Sequence, residues 1–304
     1  MEIALWRIQE WIANGDNNAK LDLSRLELYN LPNLPQNLKI LDCRKNKLTS
    51  LDNLPESLQI LVCSSNKLTS LDNLPKSLQR LSCGRNQLTS LDNLPQNLRI
   101  LFCDSNRLTS LDLLPQGLYL LDCRINKLTS LDLLPRGLHC LDCEINRLTS
   151  LNNLPQNLKI LNCSDNQLTS LNNLPQSLQK LFCSRNQLTS LDLLPQSLQE
   201  LFCGRNQLTS LDNLPKSLQE LYCNGNQLTS LNNLPESLQI LYYGYCRFPF
   251  RLLQKLNCWY NRAKVKIHYC NPSICSCERF PKFYKTRIFT NHDSNLAPLI
   301  VNYK

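Results

Sequence analysis

The sequence predicts an α/β repeat solenoid: a horseshoe with a parallel concave β-sheet, an extended or irregular convex side and an N-terminal helical cap. Three observations predict it. A twenty-residue unit, L-x-x-L-x-C-x-x-N-x-L-T-S-L-x-x-L-P-x-x, recurs ten times without insertion or deletion from Leu38 to about Ser237. Inside each unit a short segment alternates in the manner of a strand, with Leu41 and Cys43 inward and Ile40, Asp42 and Arg44 outward. Ahead of the first unit, Ile3 to Asn14 carries apolar residues at helical spacing.

The cap is assigned to residues 1–20. Leu5, Ile8, Trp11 and Ile12 share one helical face, and Asn14-Gly15 is a helix stop. Lys20 to Ser24 then reads as the first strand, with Leu23 where later units have Cys. Residues 21–246 form the solenoid of about 12 coils, with strands near residues 21, 41 and onward to 241. No coil can bury its leucines alone, so the coils must stack to build one core.

Two further columns belong to folding. Asn46 begins a column that runs every twenty residues to Asn226. Its amides carry the donors and acceptors needed where the chain turns sharply after a strand. The prolines from Pro35 to Pro235 suit an extended return path better than a helix.

The twelfth coil degrades: Tyr243 replaces Cys, Cys246 replaces Asn and Phe248 replaces Leu. Residues 247–304 form a basic, Cys-containing extension or cap. Leu252, Leu253, Leu256, Trp259 and Tyr260 suggest a helix, and Lys264 to Tyr269 a short strand. The chain's net charge of +9 lies there, because residues 1–240 hold 22 basic and 22 acidic side chains against 11 and 2 in 241–304. Such a tail, interleaved with aromatics, is able to contact nucleic acid or an anionic membrane surface.

Ten of the 16 cysteines fill one repeat column, Cys43 to Cys223, which reads as buried reduced thiols rather than a disulfide framework. That implies a reducing, intracellular compartment, including the option of a host cytoplasm. Glu2 and Arg7 interrupt any signal-like run, and no stretch is long and apolar enough to span a membrane. Cys258, His268, Cys270, Cys275 and Cys277 depart from paired C-x-x-C spacing, so no metal site is assigned, and no cofactor motif is present. The three histidines, His139, His268 and His292, sit in no catalytic motif, and the expectation is a protein without enzyme activity.

Binding information must lie where the repeats differ. The column before Cys ends in Phe182, Phe202, Tyr222 and Tyr242, and the column before Asn places Arg185 and Arg205 beside the first two. Aromatic and Arg side chains dominate binding hot spots, and an outward apolar ladder is seldom kept without use. These six residues are the candidate partner-binding site for an unidentified protein. The other open reading is that the aromatics merely stack and support one another.

The short units ending in L-P, with a Trp-containing helix before L-D-L-S, resemble the leucine-rich-repeat part of bacterial IpaH/YopM-type effectors. The Cys-rich form L-D-C-R-K-N-K-L-T-S-L at 41–51 is similar to repeat proteins of amoeba-associated bacteria and giant viruses. The resemblance covers roughly residues 1–245 and implies the horseshoe fold and a protein-binding role. The large C-terminal ligase domain of some such effectors has no counterpart in the residues that follow.

Overall fold

The computed structural model describes residues 1–231 and 233–244, and the backbone of 266–269. Residues Met1–Arg147 and Leu148–Lys304 form two compact units. The first opens with α1 (Glu2–Asn14), followed by β1 (Leu21–Asp22), β2 (Ile40–Asp42), β3 (Ile60–Val62), β4 (Arg80–Ser82), β5 (Ile100–Phe102), β6 (Leu120–Asp122) and β7 (Cys140–Asp142). The second holds β8 (Ile160–Asn162), β9 (Lys180–Phe182), β10 (Glu200–Phe202), β11 (Glu220–Tyr222), β12 (Ile240–Tyr243) and β13 (Lys266–Tyr269). Within each unit consecutive strands pair in parallel, residue i against residue i+20, as in Leu41 with Leu61 and Leu201 with Leu221. The last pair breaks the period, setting Tyr242 against His268.

The expected repeat solenoid is present, with the strands at the expected places. Leu38, Leu41, Cys43 and Leu48 are fully buried, and so are their equivalents in later coils. No repeat coil among the described residues contains a helix.

The Asn column works as a hydrogen-bond ladder. Asn66 Oδ1 accepts from Leu48 N–H at 3.0 Å, while its Nδ2 donates to the carbonyls of Cys43 and Cys63 at 3.1 and 3.0 Å. Each amide thereby ties its own coil to the one before. Proline does more than return the chain, because its carbonyl accepts the N–H of the Leu three residues on, as in Pro55 to Leu58 at 3.0 Å. That bond closes a turn before every strand.

Two columns adopt positive φ. One is Asn at 53, 73, 93, 153, 173, 213 and 233, a residue that tolerates the left-handed region, with Leu113 as an exception at φ 64. The other is the variable residue before the ladder Asn, discussed below.

Helix α1 ends as expected, with Gly15 at φ 69 and its N–H on Ile12 O. Ala4, Ile8 and Trp11 face the first coil, whereas Leu5 and Ile12 stay 47% and 57% exposed, so the buried face is narrower than expected. The reason is hydrogen bonding. Trp11 Nε1 donates to Ala19 O at 2.9 Å and Arg7 Nη1 to Asp22 O at 2.8 Å. The first bond ties the helix to the turn before β1 and the second to a β1 carbonyl, and together they set the helix rotation.

Candidate functional site

Strands β9 to β12 place Phe182, Phe202, Tyr222 and Tyr242 in register, one per strand. Parallel strands lie about 4.8 Å apart, close to the separation at which rings stack. The ring centroids are 4.5, 4.0 and 4.4 Å apart down the column, with planes within 21° of parallel. The aromatics therefore do support one another. The expectation of an exposed apolar strip needs correction: Phe182 and Phe202 are 1% and 4% exposed, and Tyr222 and Tyr242 are half-buried. Each ring covers a face of the next. Beside them Lys180 Nζ and Glu200 Oε1 pair at 2.7 Å, and the Tyr222 hydroxyl donates to Glu220 Oε2 at 3.4 Å.

Arg185 and Arg205 stand three residues beyond Phe182 and Phe202, in the turn after each strand. Their φ values are 55° and 54°. Ladder bonds from Arg185 N–H to Gly204 O at 2.9 Å and from Arg205 N–H to Asn224 O at 2.7 Å hold this conformation. The whole column from Lys45 to Gly225 adopts it. Side-chain identity is thus free to vary there while the backbone stays fixed. Arg205 is exposed; Arg185 is half-buried, with Nη1 3.5 Å from Asp165 Oδ1.

The first unit carries a different floor at two positions of the same column. Asp122 and Asp142, each 1% exposed, succeed Ser82 and Phe102 in the column before Cys. Arg124 Nη2 lies 3.1 Å from Asp122 Oδ2, though outside hydrogen-bond geometry, and Arg124 Nη1 lies 3.6 Å from Asp142. Burial pushes the Asp122 carboxyl well above the usual range, and the neighbouring Asp142 adds to this while Arg124 opposes it. The column also has a local backbone role, since Asp122 Oδ1 accepts from Arg124 N–H and Asp142 Oδ1 from Glu144 N–H. Asn162 and Ser164 repeat that bond at 3.2 Å. The signal available in the sequence was D-C-R followed by D-C-E at 122–124 and 142–144.

Other candidate chemistry resolves into structure. His139 stacks on Tyr119 at 4.4 Å, and its Nδ1 lies 2.8 Å from Gly137 O. The ten column cysteines from Cys43 to Cys223 are buried thiols, and desolvation pushes those of Cys63, Cys103 and Cys183 far up. Among the described residues no cluster of His, Cys, Asp or Glu could hold a metal, and no helix is long and apolar enough to cross a membrane. A concavity of about 780 Å³ lies between α1 and β1, where Arg7 and Lys20 both pair with Asp22. Tyr245, Cys246, Phe248, the expected helix around 252–260, and Cys258, Cys270, Cys275 and Cys277 lie outside the described residues. So does the tail proposed for nucleic acid or membrane, residues 247–304, apart from the backbone of β13, which falls within the expected short strand.

A family described as "Leucine Rich repeats (2 copies)" matches residues 176–216 and again 196–236. The chain is a leucine-rich-repeat protein. Its twenty-residue repeats are of the bacterial type, as similarity to solved structures shows. YopM from Yersinia enterocolitica is 33% identical over 81% of this chain and 64% of that one, with a TM-score of 0.63. YopM from Yersinia pestis is 27% identical over 89% and 93% of the two chains, with a TM-score of 0.55. The functional domain of InlJ from Listeria monocytogenes, described as including a cysteine ladder, is 30% identical over 70% and 59%, with a TM-score of 0.54. This leucine-rich-repeat chain therefore spans under two thirds of the first and third of these structures. No curated protein matches it. Leucine-rich-repeat proteins generally act as protein–protein interaction scaffolds.

Proposed function

We propose that this leucine-rich-repeat protein is a non-enzymatic scaffold. It holds a protein partner on the strand face of its second unit, through Phe182, Arg185, Phe202, Arg205, Tyr222 and Tyr242. The observation that carries the reading is the four-ring stack with an Arg row alongside. A stacked aromatic floor is rigid, so little side-chain entropy is lost when a partner settles on it. Phe182 and Phe202 extend the stack at one end, and the half-buried Tyr222 and Tyr242 with the two arginines present the accessible atoms. Tyrosine and arginine are among the residues enriched at such hot spots. The buried thiols fit work in a reducing intracellular setting, a host cytoplasm included.

The test is affinity capture from host-cell lysate with the wild type and with an R185A/R205A/Y222A/Y242A variant that retains the wild-type circular dichroism spectrum. The reading expects at least one protein bound by the wild type, stable as salt rises, to be lost from the variant. A folded variant that retains every captured protein contradicts the site. Binding that weakens steeply with salt moves it to the basic tail.

A further inference from the structure

The acidic floor of the first unit is short of donors. Asp122 is 1% exposed, and its Oδ2 is buried without a hydrogen bond. Arg124 reaches it only as an ion pair, because the same guanidinium also serves Asp142. Asp104 and Glu144, on the coils either side of Arg124, act on that guanidinium as well. Burial works against the Arg124 charge, and the four carboxyl groups together more than offset it, holding the guanidinium above its usual range. A buried carboxyl oxygen without a donor destabilises the fold until a further donor reaches it. Asp104 is half-buried and gives the recess its solvent-facing carboxylate.

Alongside this floor stand Ile125 and Ile145, 42% and 44% exposed, one per coil. Both are β-branched and both sit at φ 54. That conformation is costly for such a side chain, and neither gains burial from it. The acidic recess thus has an exposed aliphatic rim.

We propose that this recess binds an extended peptide segment of a partner protein, in which an Arg is followed two places on by an aliphatic residue. Side chains at that spacing leave an extended chain on the same side. The Arg guanidinium enters over Asp104 and donates to Asp122 Oδ2, while the aliphatic side chain packs on Ile125 and Ile145. Arg suits the site better than Lys, because its planar fork bridges carboxylates on strands about 4.8 Å apart, where an ammonium is a point charge. The whole chain carries a net charge of +9, so the local carboxylates, and not the overall field, draw a cation here. The site lies within the first unit, and its occupant is distinct from the partner of the ring-and-arginine face.

Fluorescence anisotropy of the full chain tests this with a labelled peptide of repeated Arg-Ser-Leu-Ser, beside counterparts with Lys for Arg and with Ser for Leu. The wild type should bind the first peptide more tightly than either counterpart. Asp104→Asn should weaken it roughly tenfold. An I125N/I145N variant, folded because Asn tolerates that φ, should lose the preference for Leu over Ser. The R185A/R205A/Y222A/Y242A variant should bind the peptide as the wild type does, which separates this site from the one on the second unit. No binding by the wild type, equal binding of the Arg and Lys peptides, or a folded D104N chain that binds as the wild type does overturns the proposal.

Discussion

The column before Cys places two carboxylates on consecutive coils in one unit, at Asp122 and Asp142, and four rings on consecutive coils in the other. In the first unit Asp122 and Asp142 stand one coil apart, both buried, with one Arg124 between them. In the second, Phe182, Phe202, Tyr222 and Tyr242 occupy the equivalent slots as a continuous stack. A spacing of about 4.8 Å suits rings, whose faces attract, and penalises like charges, which repel in a partly desolvated site. The frame itself is indifferent to which it carries. In-register repetition therefore turns one substitution into a column property, favourable or costly by its chemistry.

The strongest way to break the comparison is to remove a ring. Phe202→Ala interrupts the stack between Phe182 and Tyr222 and should cost about 3–5 kcal/mol in the denaturant melt. A loss below about 1 kcal/mol would mean that the stack contributes nothing beyond an ordinary surface position.

The frame beneath both floors should be nearly as sensitive. Asn106 Oδ1 accepts from Leu88 N–H at 3.0 Å, and its Nδ2 donates to Cys83 and Cys103 carbonyls at 3.2 and 3.0 Å. Asn106→Ala strands those buried groups and should cost about 2–3 kcal/mol by thermal or urea unfolding. Asn106→Asp keeps the acceptor and loses the donors, which separates the two halves of the ladder.

The acidic floor should respond in the opposite direction. The Asp122 carboxyl sits above its unfolded value of 3.8. The folded state thus binds its proton more tightly, and stability is lost as pH rises from the unfolded pKa through the folded one. Asp122→Asn removes the charge yet keeps the acceptor for Arg124 N–H, the role Asn162 already plays for Ser164. It should stabilise the first unit by about 1 kcal/mol at neutral pH, with the gain shrinking to nothing below the unfolded pKa. A gain that does not change with pH would place its origin outside the titration.

The smallest expected effect concerns backbone strain. Ile125, a β-branched residue at φ 54 and 42% exposed, packs little in return for its conformation. Ile125→Asn should raise stability by about 0.5–1 kcal/mol, whereas Arg205→Asn, at the same φ without β-branching, should change it less.

The solenoid was legible because its causes are local and repeated. Leu41, Cys43, Asn46 and Pro55 each state one requirement of the coil, and ten copies state it ten times. The cap was legible in kind, through Trp11 and Gly15, but not in rotation. Arg7 and Trp11 reach backbone carbonyls that exist only once β1 lies beside the helix. The candidate site was legible as a set of residue types. Its burial was not, because an outward strand position gives no account of the ring one coil away. The left-handed column was invisible for a related reason: Lys45, Arg185 and Ile125 have no common propensity for positive φ. They adopt it because the ladder bonds to the next coil require it, as Arg185 N–H to Gly204 O shows.

The proposed partner site is the ring-and-arginine face of the second unit, with the constant columns serving the fold. Hydrogen–deuterium exchange on the full chain, with and without a captured partner, tests it most directly. The account predicts new protection at 182–185, 202–205 and 222–225, and none at the equivalent 102–105 and 122–125 of the first unit. Protection confined to the first unit, or absent from both, would contradict it.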